Sequence, residues 1–168
     1  MLMNKLLNLK GLFFLLLLCG CNYKSTELGS KTVYIEVVRN QTLAPQLGAF
    51  VSNKIRAQII RRGHFLIRSN MRECDYILQV TLNDYSKGTE IFKPNDTLLA
   101  AGFRMSVQAN VSLRKRSGAL ILEDIVLTEN ASVLRDGSLT VPSDRQALLN
   151  ISESLGQQIS QLIENYRW

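Results

Sequence analysis

Residues 103–114 alternate without a break. Phe103, Met105, Val107, Ala109, Val111 and Leu113 are apolar, and Arg104, Ser106, Gln108, Asn110, Ser112 and Arg114 between them are polar. A period of two sends the sets to opposite faces of a strand, which suits an antiparallel sheet covered on one side only. Lys115-Arg116-Ser117-Gly118 predicts a hairpin turn, with the return strand running from 119 to about 134. Upstream, TVYIEVV at 32–38 is β-branched and alternating, and predicts a strand with Val33, Ile35 and Val37 on one face. DYILQVTLNDYS at 75–86 predicts a longer strand with Tyr76, Leu78, Val80 and Leu82 toward the core. HFLI at 64–67 reads as a short extended piece, and residues 86–102 read as a long connection.

Two segments follow the helical period instead. Leu47, Val51, Ile55 and Ile59 recur at fours beside Phe50, and the run stops at Arg61-Arg62-Gly63, where glycine suits a left-handed cap. Asn40-Gln41-Thr42 turns the chain before it, and Pro45 fits a first helical turn, whose N–H groups are unpaired anyway. Ser143-Asp144-Arg145-Gln146 has capping-box spacing, and Leu148, Ile151, Leu155, Ile159, Leu162 and Tyr166 then step by threes and fours. The order strand, helix, strands, helix predicts one α+β domain over residues 32–168. Two helices pack on one face of a mainly antiparallel four-stranded sheet.

The first residues belong to a different pattern. Lys5 and Lys10 precede an apolar run over 11–18 that ends in Leu18-Cys19-Gly20-Cys21. A charged flank and a short apolar stretch mark an export signal, and the run is shorter than the ~20 residues a spanning helix needs. Leu-Cys-Gly-Cys resembles the bacterial lipobox. On that resemblance residues 1–20 are removed, Cys21 carries acyl chains, and polar residues 22–31 tether the domain. The alternative is an uncleaved signal anchor. Asn22 stands where an aspartate favours inner-membrane retention in enteric lipoproteins, so the resemblance points to the outer membrane.

Charge and chemistry narrow the function. The net charge is +6, and +4 once residues 1–20 and their two lysines are gone, too mild for a nucleic-acid binder. Cys74 is then the one unlipidated cysteine, which excludes an intramolecular disulfide. A single histidine, His64, rules out a multi-histidine metal centre, and neither a nucleophile elbow nor a phosphate-cradling glycine loop occurs. The expectation is a protein without catalytic residues, metal or cofactor. What stands out is a set of basic residues near strand ends and turns. Lys87 and Lys93 lie in the 86–102 connection beside Ile91, Phe92, Leu98 and Leu99, Arg114, Lys115 and Arg116 lie at the hairpin turn, and Arg135 follows the return strand. Each has a plain alternative as a solvated surface charge. Together they suit phosphate or carboxylate groups on a ligand that also carries acyl chains.

These residues also resemble a family. Cys21-Asn22-Tyr23-Lys24 after the lipobox, the strand TVYIEVVRNQT, the stretch CDYILQVTLNDYSKGTEIF, the hairpin FRMSVQANVSLRKRSG and the amphipathic C-terminal helix are together similar to LptE, the lipoprotein of the lipopolysaccharide translocon. The resemblance covers nearly all of the chain after Cys21; Asn22 departs from the glycine usual there. It implies a non-enzymatic outer-membrane lipoprotein that plugs and helps assemble an LptD-type β-barrel and assists lipopolysaccharide insertion. It implies lipopolysaccharide contacts at Lys93 and, as a looser match, at Arg135; Arg114, Lys115 and Arg116 are further candidates from the basic set at the turn. The polar face of residues 103–114 suits a hydrated barrel lumen and equally suits open water. The alternatives are a periplasm-facing lipoprotein that regulates a cell-envelope enzyme and an auxiliary lipoprotein of a lipid-transport system.

Overall fold

The computed structural model describes residues 31–93, 96–134 and 143–166. Residues 1–30, Cys21 among them, and Arg135 lie outside them. In chain order the elements are β1 (Thr32–Ile35), β2 (Arg39–Asn40), α1 (Leu47–Arg62), β3 (Leu66–Arg68), a single 3₁₀ turn (Met71–Glu73), β4 (Tyr76–Lys93), β5 (Asp96–Lys115), β6 (Leu120–Leu134) and α2 (Ser143–Asn165).

The α+β class holds, but the sheet is larger and more mixed than expected. It has six strands in the order β3-β1-β4-β5-β6, with β2 beside β4. Strand β1 runs parallel to both β3 and β4, and β2 runs parallel to β4. Only β4–β5 and β5–β6 are antiparallel. The reason is α1. A helix between two neighbouring strands carries the chain back to its starting end, so β1 and β3 must run the same way. Strand periodicity marks which face is buried; it carries no direction.

Strands β1 and β2 form one line beside β4, interrupted by a bulge. Ile35 faces Leu78 while Arg39 faces Thr81, so four steps on one strand match three on the other. An inserted residue exchanges the two faces. Val37, expected on the core face with Val33 and Ile35, is therefore 85% exposed, and Val38 is buried in its place at 6%. The turn that follows is held by Asn40, whose Oδ1 accepts from the N–H (3.1 Å) and hydroxyl (2.7 Å) of Thr42, while Nδ2 donates to the Ala44 carbonyl at 2.9 Å. Pro45 lies in that turn, one residue before the N-cap Gln46, so α1 starts later than expected. Its C-cap is Gly63, at φ 72°, donating to the Ile59 carbonyl, as the sequence suggested.

The 86–102 connection proves to be mostly strand. β4 continues to Lys93 and β5 starts at Asp96, with Ile91 opposite Gly102 and Phe92 opposite Ala100. The register shifts between Thr89 and Ile91, again before Phe92, and again before Lys93. Each shift breaks the alternation by which a strand is recognised, so the pairing is invisible to a period-two pattern.

One core fills the space between helices and sheet. Val33, Ile35, Leu78, Val80, Leu82, Met105, Val107, Ala109, Val111 and Leu113 meet Val51, Ile55, Ile59, Ile151, Leu155, Ile159 and Ile163. All of these lie downstream of residue 32. The helices approach closely through a stripe of small residues on α2. Ser152, Gly156 and Ser160 are spaced at fours; the two serines are buried and donate to the carbonyls of Leu148 (2.6 Å) and Gly156 (2.8 Å). Polar links flank the crossing. Glu153 takes Lys54 and Gln58, and Arg62 donates to Glu164 at 2.7 Å.

Candidate functional site

The long hairpin gives the domain two ends. β1 begins at one, near the start of β4, and β4 turns back into β5 at the other. Lys115 sits opposite Tyr76 at the first end, whereas Lys93 sits opposite Asp96 at the second. At about 3.4 Å per residue, the twenty residues of β5 put roughly 60 Å between these ends. The sequence-derived basic set is therefore split. Arg114, Lys115 and Arg116 lie at the near end, where β1 begins. The backbone of Lys93 lies at the far end, its side chain outside the description. Leu134, the last described residue before Arg135, pairs with Gly102 on the far half of β5.

At the near end the β5–β6 turn is strapped to the start of β4. The N–H of Arg116 donates to the Asp75 carbonyl at 2.9 Å, and its guanidinium donates to the Arg72 carbonyl at 2.8 Å. Gly118, at φ 94°, closes the turn by donating to the Lys115 carbonyl. Asp75 in turn clamps the first residue of β1. Its Oδ2 accepts from the Thr32 N–H at 2.9 Å and from the Thr32 hydroxyl at 2.7 Å. These Thr32 bonds hold the Asp75 carboxyl below its ordinary range, and the charges of Arg116 and Arg68 act in the same direction. Lys31, Asp75, Tyr76, Lys115, Arg116 and Ser117 line an open cleft of about 540 Å³.

The face turned away from the helices is polar and tied together. Glu36 accepts from Gln79 at 2.8 Å and from Arg114 at 3.2 Å. Arg114 thus braces the sheet, with its Nε buried and lacking a hydrogen-bond partner. It stands across the sheet from Ile77, which is fully buried although it faces away from the helices. Asn83 donates to Asn110 at 2.8 Å, and the Ser112 hydroxyl both donates to Asp124 and accepts its N–H. Asp124 has φ 44° and marks a register shift between β5 and β6. A second cleft, of about 150 Å³, lies on this face among Glu36, Arg39, Gln79, Thr81, Asn110 and Asp124.

Toward the far half, Lys87 is engaged within the domain. It pairs with Asp144 in the first turn of α2 at 2.6 Å and lies 4.7 Å from the centre of the Phe103 ring. Burial raises the Tyr85 hydroxyl above its ordinary range, and Asp144 adds to the effect. Cys74 is buried, its thiol donating to the Met71 carbonyl at 3.1 Å. His64 is exposed. Among the described residues, no three His, Cys, Asp or Glu side chains gather as metal ligands, and no helix is long and apolar enough to cross a membrane.

Sequence reasoning missed Lys31, Arg68 and Arg72 as members of the near-end cluster. They are distant in sequence and meet only because β1, β3 and the 3₁₀ turn reach the same edge. It also missed the Glu36–Gln79–Arg114 link, whose members come from β4, β5 and the break between β1 and β2.

A sequence model of the LptE family, described as lipopolysaccharide assembly, matches residues 30–163. The chain belongs to the LptE family. No curated protein matches it in sequence. Solved structures share the fold of this LptE-family chain at low identity. A minor lipoprotein of Acinetobacter baumannii is 15% identical, with a TM-score of 0.50, covering 79% of this chain and 91% of its own. A hypothetical protein of Chlamydia trachomatis is 12% identical, with a TM-score of 0.56, covering 81% and 96%. Rare lipoprotein B of Shewanella oneidensis is 11% identical, with a TM-score of 0.50, covering 76% and 90%.

Proposed function

We propose that this LptE-family protein is an outer-membrane lipoprotein, anchored through acyl chains on Cys21, that plugs and helps assemble an LptD-type β-barrel and assists lipopolysaccharide insertion. The observation that carries this reading is the family match across residues 30–163. The role is non-enzymatic: contact and guidance, with no bond made or broken. The outer face of the sheet, with Gln79, Asn83, Asn110 and Ser112, meets the hydrated lumen through side chains that already satisfy one another. Lys93, whose backbone lies at the far end, and Arg135, outside the described residues, are the candidates for lipopolysaccharide phosphates. Arg114 is a weaker candidate because Glu36 occupies it.

A carrier reading needs a chamber of a few hundred Å³ between helices and sheet. That space is filled by the fully buried Leu155, Ile159, Val107 and Val111, and the two described clefts lie elsewhere.

Two experiments test the proposal. Mass analysis of the mature N-terminus should find an acylated Cys21, lost in Cys21→Ala. Mild-detergent capture of the tagged protein from outer membranes should recover a large β-barrel in one-to-one ratio. Recovery alone, or with a cell-wall synthase, would overturn the plug role.

A further inference from the structure

The near end is charged in a way that neither the lumen contact nor a far-end lipopolysaccharide site uses. Lys31, Arg68, Arg72, Lys115 and Arg116 converge there against two acids, Glu73 and Asp75. Arg68, Arg72, Lys115 and Arg116 are exposed. Exposed apolar side chains stand among them: Leu66 is paired with Thr32, Leu120 with Arg114, and Met71 opens the 3₁₀ turn. Cations interleaved with exposed aliphatic groups match a surface that is anionic at headgroup level and apolar just beneath.

The tether makes that surface reachable. The nine residues between Cys21 and Lys31 span at most about 30 Å fully extended, and about 16 Å as a flexible coil. A lipidated Cys21 would therefore keep this end next to the leaflet that holds its acyl chains, and the far end would reach away by the length of the hairpin.

We propose that the near end is a membrane-docking face in which Arg72, Lys115 and Arg116 bind anionic phospholipid headgroups of the leaflet that anchors Cys21. The inference rests on the anchoring part of the proposed function and sets its geometry. Docking stands the long axis of the domain away from that leaflet, the orientation of the lipoprotein before a barrel takes it in. A basic patch adds an electrostatic attachment to that of the acyl chains. Arg116 suits this because its guanidinium is already steered by the Arg72 carbonyl.

The test uses residues 21–168 with Cys21→Ser, which retains the whole described domain and no acyl chain. Binding to vesicles therefore reads the docking face whether or not Cys21 is acylated in the cell. Co-sedimentation is measured with vesicles of phosphatidylethanolamine and phosphatidylglycerol, of phosphatidylcholine alone, and of phosphatidylcholine carrying lipid A. The expected result is partitioning onto the phosphatidylglycerol vesicles that disappears as salt shortens the screening length from about 10 Å to about 3 Å. Lys115→Gln with Arg116→Gln should weaken it about 25-fold, at about fivefold per charge removed. Arg39→Gln with Arg145→Gln, an equal change of charge elsewhere, should leave it unaltered. Equal loss in both pairs, or no preference for phosphatidylglycerol over phosphatidylcholine, would overturn the proposal. So would capture by lipid A vesicles alone, which would make the near end a lipid A site.

Discussion

Gly156→Ala separates two effects of opposite sign. In an isolated helix the change is favourable by about 1 kcal/mol, because alanine is the better helix former and restricts the unfolded chain. At the α1–α2 crossing a Cβ on residue 156 would lie 2.8 Å from the Lys54 Cβ, 2.9 Å from the Lys54 carbonyl carbon and 3.1 Å from the Ile55 nitrogen. Two of those three atoms are backbone, so no side-chain rotation relieves the overlap. The helices must separate, and forced overpacking costs about 1–3 kcal/mol. Separation also pulls Glu153 from Lys54 and Gln58, and loosens Leu155 and Ile159 against the sheet. The net expectation is a loss of about 1–2 kcal/mol, or a Tm lower by about 2–8 °C for a domain of this size. Urea unfolding followed by circular dichroism measures it, with the exposed Gln157→Ala as a neighbour expected to stay within about 0.5 kcal/mol of the parent. A Gly156→Ala protein as stable as the parent, or more so, would refute the close crossing.

The bulge between β1 and β2 makes a sharp pair. Val38→Asp buries a charge and should unfold or severely destabilise the domain, while Val37→Asp should be nearly silent in the same unfolding assay. Equal effects would mean the face exchange is wrong. For pH, the Lys54 bond, with help from Gln58, holds the Glu153 carboxyl below its ordinary 4.5. A carboxyl that ionises more readily when folded contributes stability above its unfolded value, and that contribution is lost as pH falls through the folded one. Asp75, lowered by Thr32 from 3.8, has the same sign. Urea midpoints should thus fall as the medium is acidified below about pH 4.5, and Glu153→Gln should flatten the upper part of that fall. An unchanged slope would sink the assignment. Finally, with Cys21→Ser in residues 21–168, Cys74 should react with a maleimide only after denaturation. Prompt labelling of the native protein would contradict its burial.

Much of the architecture was legible because it rests on local period. The alternation from 103 to 114 is borne out at Met105, Val107, Ala109, Val111 and Leu113, all fully buried. The apolar steps of both helices likewise bury Ile55, Ile59, Ile151 and Ile159. What stayed hidden depends on pairing. Strand direction follows from the α1 crossover, the Val37–Val38 exchange from one inserted residue, and the extension of β4 to Lys93 from three register shifts. Arg114, Lys115 and Arg116 were recognisable as a turn cluster. Their separation from Lys93 by the length of β5 was not, because a supposed loop of 86–102 leaves its ends free to meet. The Ser152–Gly156–Ser160 stripe was present as small residues at fours, but apolar periodicity does not register small polar side chains.

The kink at Asp124 bears on whether copies of the chain can pair edge to edge. Among the described residues β6 has a neighbour on one side only, leaving a fifteen-residue edge whose backbone groups another chain could extend. Val126 and Leu120 are exposed along it, which makes the edge attractive as well as long. A left-handed residue in mid-strand, locked by Ser112 and preceded by Glu123, interrupts the flat run that stacking strands require. An aspartate that looks like a flaw in the ladder thus makes the edge a poorer template for a second copy. Deleting it would hand a second copy a straighter edge to grow from.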